Sequence, residues 1–129
     1  MDTDKHGFDL AEGELTHALI GASFEVLNAL GHGLHEKPYE NALVVELGLR
    51  KIPLQQQPRF PVFYKGTQVS EFVPDLIAAS SVIVDTKVID RITDQERGQM
   101  LNYLRITKLR VSLMHNFHKP KLEWERIVL

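Results

Sequence analysis

The stretch SVIVDTKV, residues 81–88, carries an acid and a base inside an otherwise apolar, β-branched run. Such a run predicts a strand in the interior of a sheet. Asp85 and Lys87 are two positions apart, so on a strand both side chains leave the same face. A carboxylate and an ammonium in apolar surroundings are costly unless they are paired or bound to something. The pair is therefore either a plain salt bridge or part of a functional site.

A second acid, Asp75, has similar apolar surroundings in FVPDLI, residues 72–77. We expect Asp75 and Asp85 to meet across a hairpin and to hold a divalent cation together. Hard ions such as Mg²⁺ take one or two carboxylates and complete their coordination with waters and phosphate oxygens. Lys87 would then stabilise charge that develops on a phosphodiester during attack by water. The alternative is a purely structural network of these acids and Lys87 in an unrelated α/β domain.

The surrounding pattern predicts a mixed α/β domain with one crossover helix. Helices are predicted over residues 14–30, 35–50 and 93–107, and strands over residues 57–64, 68–78, 81–88, 109–117 and 122–129. A hairpin turn is expected at KGT, residues 65–67, and a capping box at TDQE, residues 93–96. Residues 1–13 are expected to form a flexible leader and residues 14–129 a single domain.

The amino-acid composition excludes several classes of site and of protein. The 129 residues include no cysteine, which excludes disulfide scaffolds, thiolate zinc sites and thiol catalysis. No apolar run approaches the ~20 residues of a membrane span, and the polar start does not resemble a signal peptide, so we expect a cytoplasmic protein without membrane contact. The net charge of −2 hides an asymmetry: residues 1–49 hold nine acids and two bases, and residues 50–129 hold thirteen bases and eight acids. A basic face for a polyanion and a chance distribution are both compatible with that asymmetry.

Two further pairs lie at helical spacing. Glu36 and Tyr39 are three apart in GLHEKPY, residues 33–39, and Gln99 and Tyr103 are four apart on the last helix. Glu36 could complete a metal shell, directly or through water. Both tyrosines are more typical of core aromatics with hydrogen-bonded hydroxyls. Gln99 is either a surface amide or a member of the site.

At this point the sequence resembles a known family. GLHEKPY is similar to the motif that names the GxxExxY proteins, which are grouped with the PD-(D/E)XK nuclease superfamily, and the resemblance covers roughly residues 14–129. It implies a restriction-endonuclease-like, three-layer α/β/α core, in which a central four-stranded mixed sheet is flanked by helices. One departure is Asp85, where the family usually has Glu.

The resemblance also implies the site. Its catalytic residues would be Glu36, Asp75, Asp85, Lys87 and Gln99, with Gln99 helping to place the nucleotide or a water. The ligands of Mg²⁺ (or Mn²⁺) would be Glu36, Asp75, Asp85 and the Thr86 carbonyl.

The implied function is metal-dependent hydrolysis of nucleic acid, with DNA expected over RNA. The protein would act alone, as a homodimer or within a larger complex. The alternative is a nuclease-fold module that binds nucleic acid or a partner protein without cutting.

Overall fold

A computed structural model describes the backbone of residues 3–129 and the side chains of residues 13–129. The elements in chain order are α1 (Thr3–Leu30), α2 (Glu36–Leu49), β1 (Leu54–Gln56), β2 (Phe60–Tyr64), β3 (Thr67–Phe72), β4 (Leu76–Ala78), β5 (Val82–Lys87), α3 (Asp94–Thr107), β6 (Val111–Asn116) and β7 (Glu123–Val128). Helix α1 begins well before residue 14, where the sequence pattern starts it. All but the last residue of the leader predicted for residues 1–13 lies outside the residues with described side chains, and the leader stays a prediction. None of the helices within residues 3–129 combines the length and the apolarity needed to cross a membrane.

The central sheet has five strands in the order β1-β4-β5-β6-β7. Strands β5 and β6 run parallel and are joined through α3, whereas β4 pairs with β5, and β7 with β6, in antiparallel fashion. All six residues of β6 are buried, as are the apolar residues of β5, because both faces of these strands are covered by other layers. The observed sheet thus has one strand more than the four predicted, because the three-residue β1 pairs with the outer edge of β4.

Helices cover both faces of this sheet, which makes the predicted three layers. On one face, apolar residues of α1 and α2 such as Leu19 and Leu43 pack against β4, β5 and β6. On the other face, Met100 and Leu104 of α3 pack against Ile83 of β5 and its neighbours. Burial of these apolar side chains is the main stabilising term, at roughly 25 cal/mol per Å² removed from water.

The crossover helix α3 begins at the predicted capping box. The Thr93 hydroxyl accepts a hydrogen bond from the Gln95 N–H at 3.3 Å, and the Glu96 carboxylate accepts one from the Thr93 N–H at 2.7 Å. The helix ends at Lys108, whose left-handed φ of 63° terminates the turn. Both ends were readable because each depends on local sequence.

The predicted strand over residues 57–64 is shorter in the structure, where β2 covers Phe60–Tyr64, and the predicted strand over residues 68–78 is divided in two. Gln57 has a φ of 55°, which ends β1 and separates it from β2. Pro74 cannot donate to a strand ladder, and the chain leaves β3 there before β4 joins the central sheet. Strands β2 and β3 form a separate two-stranded hairpin. Its turn is the predicted one, with φ of 49° at Lys65 and 82° at Gly66, the signs that a type I′ turn requires.

One buried polar side chain lies beneath α1. His115 of β6 is fully buried, and its Nδ1 shares a short hydrogen bond with the Ser23 hydroxyl. Its Nε2 has no hydrogen-bond partner among the residues with described side chains. Burial lowers the pKa of His115 to about 3, so the imidazole is neutral in the folded protein.

Candidate active site

Asp85 and Lys87 leave the same face of β5 near its carboxyl end, as their spacing predicts. The Lys87 Nζ lies 2.8 Å from Asp85 Oδ2, and each side chain is 18% exposed. The apolar residues before them anchor β5 in the core, so this ion pair sits at the rim of the sheet rather than on an open surface. Asp85 and Lys87 therefore do form a salt bridge. The residues around this pair decide whether it also belongs to a functional site.

Asp75 lies next to this pair, immediately before β4. Since Leu76 pairs with Val84, Asp75 stands across from Asp85, the expected meeting across the β4–β5 hairpin. Oδ2 of Asp75 accepts two hydrogen bonds from Thr86, one from its N–H at 2.8 Å and one from its hydroxyl at 2.9 Å. These two donors fix the orientation of the Asp75 carboxylate.

The surroundings of Asp85 disfavour its charged form. Burial, together with the charge of Asp75, raises the pKa of Asp85 to about 7 against the lowering effect of Lys87. Burial alone would lower the pKa of Lys87, but the charges of Asp85, Glu36 and Asp75 outweigh burial and raise it. Lys87 is therefore a permanent cation at neutral pH. A second cation between the aspartates would favour the charged form of Asp85.

The Thr86 carbonyl lies at a gap in the ladder. The Lys87 carbonyl accepts a hydrogen bond from the Phe117 N–H at 2.9 Å, on the side of β6. Backbone groups alternate sides along a strand, so the Thr86 carbonyl points toward the β4 side. Continuing the β4–β5 register by two residues puts Pro74 opposite, and proline has no N–H to donate. No ladder hydrogen bond from Pro74 can therefore occupy this oxygen.

Glu36 reaches the site from the other layer. It is the first residue of α2, it is exposed, and its Oε2 accepts a hydrogen bond from the Val88 N–H at 3.2 Å. This contact sets its carboxylate beside the end of β5, where its charge acts on Lys87. Across residues 13–129, however, no three acidic or histidine side chains gather closely enough to surround one ion. The structure brings Asp75 and Asp85 together and keeps Glu36 at the Lys87 end.

The turn that leads to Glu36 is held by Tyr39. The Tyr39 hydroxyl donates to the Gly31 carbonyl at 2.6 Å and accepts from the Leu34 N–H at 3.2 Å. Its ring stacks on Phe117, with centroids 4.5 Å apart. Tyr39 is thus the core aromatic that its helical position favours, and it fixes the start of the helix that carries Glu36.

Gln99 lies across a cleft from the ion pair. The cleft has a volume of about 490 Å³ and opens between β5, α3 and the β2–β3 hairpin. Its lining residues include Val62, Ser70, Phe72, Asp85, Lys87, Gln99 and Tyr103. Gln99 is exposed on α3, and the ring of Tyr103 stacks on Phe72 with centroids 3.7 Å apart. Gln99 is therefore a polar group on the wall that faces Asp85 and Lys87.

Sequence reasoning missed Asn116, which holds the segment after Lys87. Asn116 Nδ2 donates to the Ile89 carbonyl and to Glu123, both at 2.9 Å, and its Oδ1 accepts from the Ile89 N–H at 3.1 Å. The sequence signal that could have found this residue was the amide side chain of Asn116 inside the otherwise apolar predicted strand of residues 109–117. It identifies a buried polar residue, but its partners are known only from the fold.

The fold agrees with the comparison against protein families. The family model described as the PD-(D/E)XK nuclease superfamily matches residues 13–127. No curated protein and no solved structure matches the chain.

Proposed function

Because this chain belongs to the PD-(D/E)XK nuclease superfamily, we propose that it is a divalent-metal-dependent nuclease that hydrolyses phosphodiester bonds, with DNA preferred over RNA. The observation that carries the proposal is the grouping of Asp75 with Asp85 and Lys87, the last two of which line an open cleft. Within the superfamily, the GLHEKPY motif of residues 33–39 supports assignment to the GxxExxY group.

The donors present suit a hard divalent cation. Two aspartates stand across from each other, the burial and repulsion on Asp85 are relieved by positive charge, and the Thr86 carbonyl faces a proline. Mg²⁺ or Mn²⁺ accepts such a set of one or two carboxylates with a carbonyl and solvent. Asp75, Asp85 and Thr86 would hold the ion, and Glu36 would take part through water from the Lys87 end. The ion, when bound, would polarise the phosphodiester.

Lys87 supplies the fixed positive charge. Its ammonium stays protonated at neutral pH and lies 2.8 Å from Asp85, so it is held beside the candidate metal site, where negative charge would develop on the phosphorus oxygens. A preoriented charge in a partly dry cleft stabilises that transition state more than a solvated one would. Gln99, on the facing wall, would orient the nucleotide or the attacking water by hydrogen bonds.

The surface around this end of the sheet favours a polyanion. Lys87 pairs with Asn116 in the parallel β5–β6 register, so the segments that follow both strands emerge at the same edge. Those segments expose the basic side chains Arg91, Lys119 and Lys121 and one acid, Asp90, whose Oδ1 lies 4.0 Å from the Lys119 Nζ. Their net positive charge would hold phosphates next to the candidate site. Part of the basic excess of residues 50–129 thus lies at this edge of the sheet.

The test pairs metal binding with cleavage. Titration calorimetry with Mn²⁺ should show binding to the wild type and at least tenfold weaker binding to Asp75→Ala. Supercoiled plasmid and a labelled single-stranded oligonucleotide should be cut by the wild type with Mg²⁺ or Mn²⁺ and left intact by Lys87→Met. Lys51→Met, at an exposed lysine beyond α2, is the matched control. Equal Mn²⁺ affinity in the wild type and Asp75→Ala would refute the nuclease proposal.

A second function is favoured by one observation. Lys87 already neutralises Asp85, and residues 13–129 gather no group of three acidic or histidine side chains. Those facts suit a module that binds nucleic acid or a partner protein without cutting. Salt-sensitive DNA binding that ignores metal, together with no cleavage at any metal concentration, would favour this module over the nuclease.

A further inference from the structure

The β2–β3 hairpin exposes aromatic side chains that are not packed in the core of the protein. Phe63 is 61% exposed and Tyr64 is 62% exposed, although both are large apolar groups. The tip of a two-stranded ribbon can bury neither face against itself. Adjacent exposed aromatics at such a tip commonly mark an interaction surface.

The two rings project from opposite faces. Side chains alternate along a strand, so Phe60, Val62 and Tyr64 share one face of β2 while Phe63 belongs to the other. Phe60 packs toward α3, and Val62 lines the cleft that holds Asp85. The register irregularity of the hairpin lies in β3, where one extra residue, Val69, stands between the partners of Val62 and Phe63, so the alternation of β2 is intact. Tyr64 is not among the residues that line the cleft, but it lies on the same face of β2 as Val62, about 7 Å farther along the strand.

A cation accompanies the cleft-side ring. The Lys65 Nζ lies over one face of the Tyr64 ring, 5.3 Å from its centroid, so a stacking base would take the other face. Lys65 and Gly66 form the tight turn, so ring and ammonium are presented together on a short, closed loop. An aromatic face beside a positive charge is the pairing that holds a base and its phosphate in proteins that bind single strands.

We propose that Tyr64 is a stacking platform for an unpaired base of a nucleic-acid strand lying in the cleft, with Lys65 contacting an adjoining phosphate. This inference rests on the proposed function and names its substrate class: single strands, or duplex ends whose terminal bases are open. A base inside an intact duplex has no free face to offer the ring, so continuous duplex is the poorer ligand. Phe63, on the opposite face of the same ribbon, takes no part.

The experiment measures stacking without cleavage. An oligonucleotide with one 2-aminopurine is titrated with protein in EDTA, and its fluorescence and anisotropy are followed. The wild type should quench the fluorescence and bind the single strand more tightly than the blunt duplex. Tyr64→Ala should lose the quenching and weaken single-strand binding by roughly 5- to 150-fold. Tyr64→Trp should retain both, and Phe63→Ala, equally exposed and on the other face, should match the wild type.

Three outcomes of the experiments without cleavage would overturn the inference. The first is absence of quenching by the wild type, and the second is equal weakening by Tyr64→Ala and Phe63→Ala. The third is a concentration-dependent dimer, seen by sedimentation without nucleic acid and abolished by Tyr64→Ala, which would make the hairpin a self-association surface. Cleavage assays on the same variants separate the two proposals. Metal-dependent cutting with an unchanged KM in Tyr64→Ala retains the nuclease and removes the stacking role, whereas Tyr64-dependent quenching without any cutting does the reverse.

Discussion

Thr86 holds Asp75 by two hydrogen bonds to a single carboxylate oxygen, from its backbone N–H at 2.8 Å and its hydroxyl at 2.9 Å. The side chain of Thr86 is buried, so water does not compete for that oxygen. This residue, whose carbonyl alone was expected to matter, thereby aims one acid of the candidate metal site.

Thr86→Val tests that aiming role, since valine keeps the shape and removes the hydroxyl. A buried hydrogen bond to a charged group contributes roughly 1.5–3 kcal/mol, and the backbone bond remains, so we expect a loss in unfolding free energy of about 2 kcal/mol. Mn²⁺ affinity should fall with it, because Asp75 is less well oriented. Urea unfolding and calorimetry measure the two effects. Thr67→Val, at an exposed position, is the control, and an effect of equal size there would contradict the prediction.

Metal binding should depend on pH through Asp85. Burial raises its pKa to about 7, so below that pH the ion must displace a proton before it binds. We expect the affinity for Mn²⁺ to fall about tenfold per pH unit below 7 and to level off above it. Calorimetry between pH 5.5 and 8.5, in buffers of different ionisation enthalpy, would also count the released proton. A flat profile across that range would exclude this role for Asp85.

His115 should weaken the fold in acid. Its pKa is about 3 when folded and near 6.5 when unfolded, so between these values the unfolded chain binds more protons. Stability from this group is fully present above pH 6.5 and is lost as pH falls toward 3, by about 2 kcal/mol between pH 6.5 and 5. Asp85 contributes the opposite slope over part of this range, because its folded pKa is raised.

The comparison variant for His115 is His115→Gln, which does not titrate. Unfolding in EDTA at pH 7.5, 6.5, 5.5 and 5.0 should show a smaller acid loss in His115→Gln than in the wild type. The contribution of Asp85 is common to both proteins and cancels in the difference. Parallel stability curves would count against a buried neutral imidazole.

Tyr39→Phe removes the hydroxyl that holds the turn before Glu36. The turn loses two hydrogen bonds, one to the Gly31 carbonyl and one from the Leu34 N–H. We expect a loss of about 1–2 kcal/mol in unfolding free energy. Any cleavage activity should fall beyond the effect of stability, since Glu36 begins the adjoining helix. Thermal melting and cleavage rates at 20 °C check both parts, and Tyr64→Phe, with an exposed ring, should leave the melting temperature unchanged.

Short sequence patterns correctly predicted those parts of the fold that depend on residues close together in the chain. The Thr93 capping box, the Lys65–Gly66 turn and the shared face of Asp85 and Lys87 each depend on residues within four positions of one another. Asp75 was placed across from Asp85 because a hairpin is the shortest connection between two adjacent strands. These predictions are confirmed at the level of geometry.

Long-range contacts were beyond sequence reasoning. Nothing near Asn116 indicates that its amide would hold Ile89 and Glu123 from two other segments. The stretch of residues 68–78 reads as one strand, because pairing of β3 with β2 and of β4 with β5 is decided by packing. Glu36 was expected in the same shell as the aspartates, yet its position depends on how α2 packs on the sheet, and it contacts the Val88 N–H.

The separation of the β2–β3 hairpin from the central sheet has an engineering consequence. The two sheets share no backbone ladder, so residues 61–71 can be exchanged for a ribbon of another length without shifting the register that aligns Asp75 with Asp85. The hairpin that would choose a ligand and the β4–β5 pair that would perform chemistry are joined by side-chain packing around the cleft and not by a shared ladder. Such grafts offer a way to redirect this scaffold while its reacting groups stay in place.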